Sequence, residues 1–317
     1  PAASGLEGSG KRISGSCALP EMPNPDLLNR LHESLRYRNS SAVAKPFVDP
    51  RRFLRNQLRK YGLFSAETGS LSTVPTFHLP DFTVVQGELV SLELACYGMF
   101  EPALTEAFIR LVQPGQTVVD IGMHLGYYTT LFALLVGDKG HVHAFEPTPS
   151  TREIALRNTA RFPQVEVHPF AVWSASQTIA FQDFGPRWMA FNSLTEFRMD
   201  DAPAESKTIQ VQTTTLDAFH KTGNATVALI KIDAESAERE IISGARELIA
   251  ADHPVISVEV GDHGDSRASR GMVDDLAALD YLPWEFADGS FRRHQVRERY
   301  DYDNLIFAPR ARDLSTD

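Results

Sequence analysis

The chain has 317 residues, enough for two folded units or for one with a sizeable extension. Its hydrophobic fraction of 43% and charged fraction of 23% are those of an ordinary globular domain and exclude a fibrous, disordered or disulfide-stapled chain. Lys and Arg number 31 against 41 for Asp and Glu, a net charge of −10 that disfavours wrapping a phosphate backbone, so no nucleic-acid partner is expected.

The first twenty residues, PAASGLEGSGKRISGSCALP, are small and polar and read as a disordered leader over 1–20. Cys17 lies in it and Cys96 is the only other cysteine, too few for a disulfide framework or a four-thiolate zinc site. No run reaches the roughly 18 apolar residues of a membrane span, and no apolar signal core opens the chain, so a cytoplasmic location is the expectation. From Pro25 to Phe64 apolar residues recur at helical spacing, which predicts a helical N-terminal extension over 21–75. Its apolar faces are expected to cap the ligand edge of the fold or to form a homodimer contact. The stretch Thr76 to Leu94 alternates and turns at Gln86-Gly87, which predicts a hairpin, followed by a helix from about Pro102 to Val112, so that 76–112 leads into the core.

From residue 113 to 317 strand, turn and helix alternate, the pattern of a parallel sheet covered on both faces. TVVDIG, HVHAF, VEVHPFAV, ALIKID and PVISVEV are the five expected strands. The helices fall at Tyr128 to Val136, after a Ser150/Glu153 capping box, at Ala237 to Ala250 and at Met272 to Leu279. YLPWEF and NLIFA flank a charged turn and form a closing antiparallel pair. The fold class is therefore α/β, mostly parallel, with a helical N-terminal extension.

Chemistry collects at the strand ends. TVVDIG runs into Asp120-Ile121-Gly122-Met123-His124-Leu125-Gly126, whose glycines allow close backbone approach to a ligand at a helix N-terminus. The spacing is G-x-x-x-G with an Asp at the strand end, not the G-x-G-x-x-G of a dinucleotide fold, and an Asp suits an amino-bearing ligand better than a pyrophosphate. The second strand ends in Ala144-Phe145-Glu146-Pro147, an acid 24 residues after Gly122 (146 − 122 = 24), placed to take both ribose hydroxyls of a nucleoside. Asp233 and Glu235 emerge from the fourth strand, with Lys231 on the same strand face as Asp233. The fifth adds Glu259, then Asp262 and His263. Such a set supports a general base or a divalent ion, and the expectation is a base with no metal, because Lys231 repels a cation beside Asp233.

The ordered set VVDIGMHLGYYTT, AFEP, FAV, TTTLD, ALIKIDAESAERE and VISVEV, from about Gly98 to Pro309, resembles the FkbM-type S-adenosylmethionine-dependent methyltransferases. The resemblance implies a Rossmann-like class I methyltransferase sheet with S-adenosyl-L-methionine as cofactor. It implies that Asp120, Gly122 and Gly126 lie along the methionine part, with His124 in the same turn, and Glu146, followed by Pro147, on the ribose. Ala171 and Val172 then lie near the adenine and Asp233 near the amino group or the acceptor, while Glu101 of Met99-Phe100-Glu101-Pro102 covers the cofactor. Asn192-Ser193-Leu194 is similar to the family's Ser-Ser-Leu element. Met123 and His124 stand where the family carries Ala-Asn, and Ser236 where it carries Gly; His can hydrogen-bond as Asn does, with a charge that depends on pH.

The implied function is O-methylation of a small-molecule acceptor, a sugar or secondary-metabolite hydroxyl in natural product biosynthesis. Asp233, His263, Glu235 and Glu259 are the candidate catalytic residues, Asp233 and His263 the alternative proton acceptors. A nucleoside-binding module without catalysis is the other reading. Arg51, Arg52, Arg55 and Arg59, and Arg292, Arg293, Arg297 and Arg299, form two basic stretches, read as solvated faces or as guides for an anionic acceptor. Trp173, Trp188 and Phe191 are expected partly in the core and partly on the acceptor-pocket wall.

Overall fold

The computed structural model describes residues 24–60, 67–189, 207–221, 223, 225–234, 237–262 and 268–316. The expected leader, Phe64, Phe191, Asn192-Ser193-Leu194, Glu235, Ser236 and His263 lie outside the described residues. The strands are β1 Leu71–Val74, β2 Phe82–Val85, β3 Thr117–Ile121, β4 His141–Phe145, β5 Val165–His168, β6 Ala171–Val172, β7 Thr178–Asp183, β8 Lys207–Thr214, β9 Val227–Ile232, β10 Val255–Val260, β11 Tyr281–Ala287, β12 Ser290–Arg293 and β13 Asp303–Pro309. The helices are α1 Pro25–Asn39, α2 Lys45–Val48, α3 Pro50–Lys60, α4 Leu89–Tyr97, α5 Pro102–Leu111, α6 Tyr127–Val136, α7 Pro149–Thr159, α8 Leu216–His220, α9 Glu238–Ser243, α10 Arg246–Asp252 and α11 Ala268–Ala277.

An eight-stranded sheet in the order β12-β11-β13-β10-β9-β3-β4-β5 forms the centre. β10, β9, β3, β4 and β5 run parallel, β11 and β13 form the antiparallel pair that the sequence pattern predicts, and the stretch between them, expected as a charged turn, holds the further antiparallel edge strand β12. Every residue of β3 is buried because helices cover both faces. Alternation divides the core: Val118 joins Phe108, Leu131 and the N-terminal Leu28 and Leu31 on one side, while Val119 joins Ile241, Leu248 and Met272 on the other. The chain leaves β3 toward β4 and β5, then returns to lay β9 on the opposite side of β3. That reversal opens a crevice at the carboxyl ends of β3, β4 and β9.

Five sequence expectations are corrected. The hairpin is β1 against β2, pairing Leu71 with Val85 and Val74 with Phe82, so its turn is not at Gln86-Gly87. Gln86-Gly87 instead leads into α4, whose N-cap Glu88 accepts hydrogen bonds from the backbone N–H groups of Val90 and Ser91 and turns an alternating sequence into a helix. The Ser150/Glu153 box is not the cap of α7, which begins at Pro149 after Thr148, since proline at the first position needs no donor. VEVHPFAV is two strands in different sheets: β5 ends the large sheet, and after Pro169 β6 pairs with β8. The helix expected over Ala237 to Ala250 breaks at Gly244, where an added Cβ would stand 2.3 Å from the carbonyl oxygen of Trp173. β7 and β8 form a further antiparallel pair that the sequence pattern did not predict.

The N-terminal helices rest on their own chain. Arg38 reaches Glu93 of α4 at 3.5 Å, and Arg52 donates to Ser34 Oγ and Tyr97 O while its guanidinium lies 5.2 Å from the Tyr37 ring centre. Arg52 is therefore a packing residue. In the second basic stretch Arg292 pairs with Asp288, Arg297 with Glu285, and Arg293 covers Trp284 at 4.5 Å. No helix among the described residues is long and apolar enough to cross a membrane.

Candidate functional site

At the end of β3, Gly122 turns the chain with φ +73°, and an added Cβ would stand 1.7 Å from the carbonyl oxygen of Asp233. Only glycine allows the ends of β3 and β9 to approach this closely. His124 also lies in the left-handed region, φ 51°, a conformation that Asn, Asp and His adopt more readily than other side chains. A histidine in place of asparagine thus preserves the turn. Its Nε2 is buried with no hydrogen-bond partner among the described residues. Burial pushes the imidazole pKa down against the opposing pull of Glu88 and Asp233, so the ring is neutral near pH 7. Met123 fills a small apolar cluster with Ala144 and Ala155, which explains how the turn holds a residue larger than alanine. Gly126, φ +87°, opens α6 and lies behind the turn.

Glu146 follows β4 and is buried. Its Oε1 accepts from the backbone N–H of Thr148 at 2.9 Å, and its Oε2 from that of His124 at 3.2 Å. Both oxygens are oriented and each keeps lone-pair capacity for a ligand hydroxyl. Burial pushes the carboxyl pKa up to about 7, against those hydrogen bonds and Arg152.

Beneath the turn sits a buried charge network. Lys231 Nζ lies 3.2 Å from Asp233 Oδ2 and 3.4 Å from Asp120 Oδ1, donates to Gly122 O at 3.3 Å, and stands 5.3 Å from the Tyr128 ring centre. Thr129 donates to Asp120 Oδ2 at 2.6 Å. Burial acts to lower the Lys231 pKa, but Asp233, Asp120 and Glu101 together outweigh it and hold the ammonium above its usual value. Glu101, the left-handed N-cap of α5, accepts from Tyr128 OH at 2.9 Å, Tyr302 OH at 3.1 Å and Asn304 Nδ2 at 2.7 Å. Burial first, and then the Asp233 charge, raises its pKa.

These groups border a cavity of about 560 Å³. Of the residues expected in the site, Gly122, His124, Glu146, Pro147, Ala171, Val172, Asp233 and Glu259 line this one cavity. Asp120, Gly126 and Glu101 stand behind that lining, Asp120 beneath Lys231 and Glu101 behind Tyr128 and Tyr302. Asp262 belongs elsewhere: it accepts from the backbone of Ser269 and Tyr300 and ties the start of α11 to the loop before β13. Trp173 packs into the core and Trp188 lies under Arg187; neither lines the cavity.

The apolar part of the lining was not predicted. It consists of Leu89 and Leu92 of α4, Phe100, Phe170, Phe181, Met189 and Tyr302. The signal for Tyr302 lies in the register Glu259 to Asn304, which places the start of β13 beside a predicted site residue. The sequence pattern pairs β13 with β11 but does not identify β10 as its other neighbour.

Residues 120–292, more than half of the chain, match the family model of the methyltransferase FkbM domain. No curated protein matches the chain. Among solved structures it is similar to a methyltransferase FkbM from Methylobacillus flagellatus KT, at 15% identity over 68% of this chain and 52% of that one, TM-score 0.38. The chain thus spans about half the length of that protein. It is also similar to the O-methyltransferase TomG from Streptomyces achromogenes, at 17% identity over 65% of this chain and 78% of that one, TM-score 0.39. A third is fibrillarin from Aeropyrum pernix in complex with S-adenosyl-L-methionine, at 12% identity over 65% and 72%, TM-score 0.39.

Proposed function

The chain belongs to the FkbM methyltransferase family, with a Rossmann-like class I sheet and S-adenosylmethionine as the family's cofactor, and from this we propose that it methylates a hydroxyl of a small molecule. The residues present fit that cofactor. Gly122 lets the ends of β3 and β9 close on each other, Glu146 offers two oriented oxygens for ribose hydroxyls, and His124 Nε2 is a buried polar atom awaiting a partner. Ala171 and Val172, which line the same cavity, would flank the base.

When bound, S-adenosylmethionine supplies a methyl group carried on a cationic sulfur. The chain's own part is positioning and proton handling. Lys231 fixes the Asp233 carboxylate from below, and Asp233 accepts the proton of the acceptor hydroxyl at the cavity wall. Glu259 and Tyr302 border the same space, and the bond that Tyr302 OH donates to Glu101 orients the phenol. Glu235 and His263 remain proposed members of this set. The net charge of −10 and the apolar lining suit a small acceptor with an apolar body better than a polyanion.

One observation carries the reading: the cavity that contains the Gly122–Glu146 cradle also contains an apolar wall contributed by other segments, which leaves room for a second ligand. A pure nucleoside-binding module needs only the cradle. The test is calorimetry with S-adenosylmethionine, S-adenosylhomocysteine and NAD, followed by detection of S-adenosylhomocysteine formed with a panel of hydroxylated small molecules. Binding of the first two and turnover with a hydroxyl acceptor are expected. Binding of NAD alone would overturn the cofactor assignment, and cofactor binding without turnover across the panel would favour the binding module.

A further inference from the structure

At the β5 edge of the sheet, away from the cradle, three side chains that the methyl-transfer reading does not use converge. β4 and β5 run parallel with His143 beside Glu166 and Phe145 beside His168. His143 Nδ1 lies 3.4 Å from Glu166 Oε2 and 3.4 Å from His168 Nε2, and the three ligand atoms all lie within 4.8 Å of one another. Among the described residues this is the one group of three His, Cys, Asp or Glu side chains gathered so closely.

We propose that His143, Glu166 and His168 form a binding site for a divalent transition metal of the Zn²⁺ class. In tetrahedral zinc sites the bonds to His nitrogen and carboxylate oxygen are about 2.0–2.2 Å, which sets neighbouring ligand atoms roughly 3.3–3.5 Å apart. Both measured separations fall on that edge length. Two imidazoles with one carboxylate suit Zn²⁺, Co²⁺ or Ni²⁺ better than the all-oxygen preferences of Mg²⁺ or Ca²⁺.

His143 Nδ1 faces a carboxylate that only accepts and an imidazole nitrogen at the same distance. If Nδ1 carries a proton, it serves one of the two; if it does not, it meets the carboxylate lone pair to lone pair. A cation between the three atoms satisfies all of them. The rings are held ready by packing, with Phe219 at 5.0 Å from each imidazole centre and Phe145 stacked on His168 at 4.7 Å. Glu166 is exposed, which leaves the remaining coordination position to water. The segment after His168 runs directly to Phe170, Ala171 and Val172 on the cavity wall, so a metal here ties that wall's edge strand to β4.

The experiment is titration of the chelator-stripped full chain with Zn²⁺ by competition against a metallochromic indicator, repeated with Co²⁺ for its visible spectrum. One tight equivalent is expected, with the intense bands of four-coordinate Co²⁺. Glu166→Gln alters an exposed residue and keeps the fold. It should weaken binding by about tenfold or more, since even second-layer partners of a metal ligand are worth that much. The double variant His143→Gln/His168→Gln, checked for folding by circular dichroism, should lose the equivalent. Unchanged stoichiometry and affinity in Glu166→Gln and the double variant, or a Co²⁺ spectrum that does not depend on them, would overturn the site. If the double variant does not fold, Glu166→Gln with the single variant His143→Gln decides.

Discussion

The two ends of the cavity are built on different terms. At the cradle, Gly122, His124 and Glu146 come from two short segments at adjacent strand tips, joined by backbone hydrogen bonds and, at Gly122, by an approach that admits no side chain. In the apolar lining Leu89, Leu92, Phe181, Met189 and Tyr302 come from a helix, a strand of a separate small sheet, the loop beyond it and the entry to β13. Leu89, Leu92 and Tyr302 are 51%, 59% and 68% exposed. One end is fixed before any ligand arrives, whereas the other offers surface. A fixed end suits a cofactor common to a family, and an open one suits an acceptor that differs from member to member.

The strongest way to break this contrast is Gly122→Ala. The left-handed backbone costs about 1–3 kcal/mol with any side chain. The added carbon must also displace the Asp233 carbonyl, which is backbone and cannot rotate away. The expected outcome is loss of measurable S-adenosylmethionine binding and a fall in Tm of several degrees. Calorimetry and thermal unfolding check it, and near-native affinity would mean that the strand ends are not held together as described.

Why one end was legible in the sequence follows from the same contrast. Asp120, Gly122, His124 and Glu146 sit at fixed offsets from apolar runs whose buried-strand character is evident from composition alone. Lys231 and Asp233 alternate on one strand, and their 3.2 Å pairing follows from that. The acceptor wall depends on long-range choices: whether the residues after Gly87 continue a strand or enter a helix capped by Glu88, and whether β6 stays with β5 or joins β8. Side chains accepting hydrogen bonds from backbone decide the first, and a proline between two strands decides the second. Neither leaves a periodic trace. The His143, Glu166 and His168 group was missed for a related reason, since it needs the register of two strands 25 residues apart (168 − 143 = 25).

A smaller and more selective effect is expected at Glu146. Its pKa of about 7 lies above the ordinary carboxyl value, so ionising it costs the folded protein stability. That share of stability is present below the unfolded value and is lost as pH rises through about 7. Ligand binding has the opposite sign, because ribose hydroxyls donate to the ionised form. Affinity for S-adenosylmethionine should therefore rise with pH and level off above 7, falling by up to about tenfold per pH unit below it. Glu146→Gln should flatten this profile and weaken binding at pH 8 by about 1.5–3 kcal/mol, while raising the ligand-free Tm at that pH. Calorimetry across pH 5.5 to 8.5 checks both. A profile that persists in the variant would assign the titration to another group.

The smallest effect belongs to the open end, and there only the second substrate should respond. Leu89 and Leu92 lie on α4, whose start is held by Glu88 and which Arg38 of α1 joins through Glu93, so trimming two exposed side chains leaves the helix in place. Each leucine is more than half exposed, and a bound acceptor can remove only part of its apolar area from water, about 0.5–1.5 kcal/mol per residue. Leu89→Ala and Leu92→Ala should each raise KM for an apolar acceptor a few-fold, with S-adenosylmethionine affinity and kcat unchanged. Bisubstrate steady-state kinetics separates these quantities. A change in cofactor affinity instead would show that α4 covers the cradle itself and that the two ends act as one.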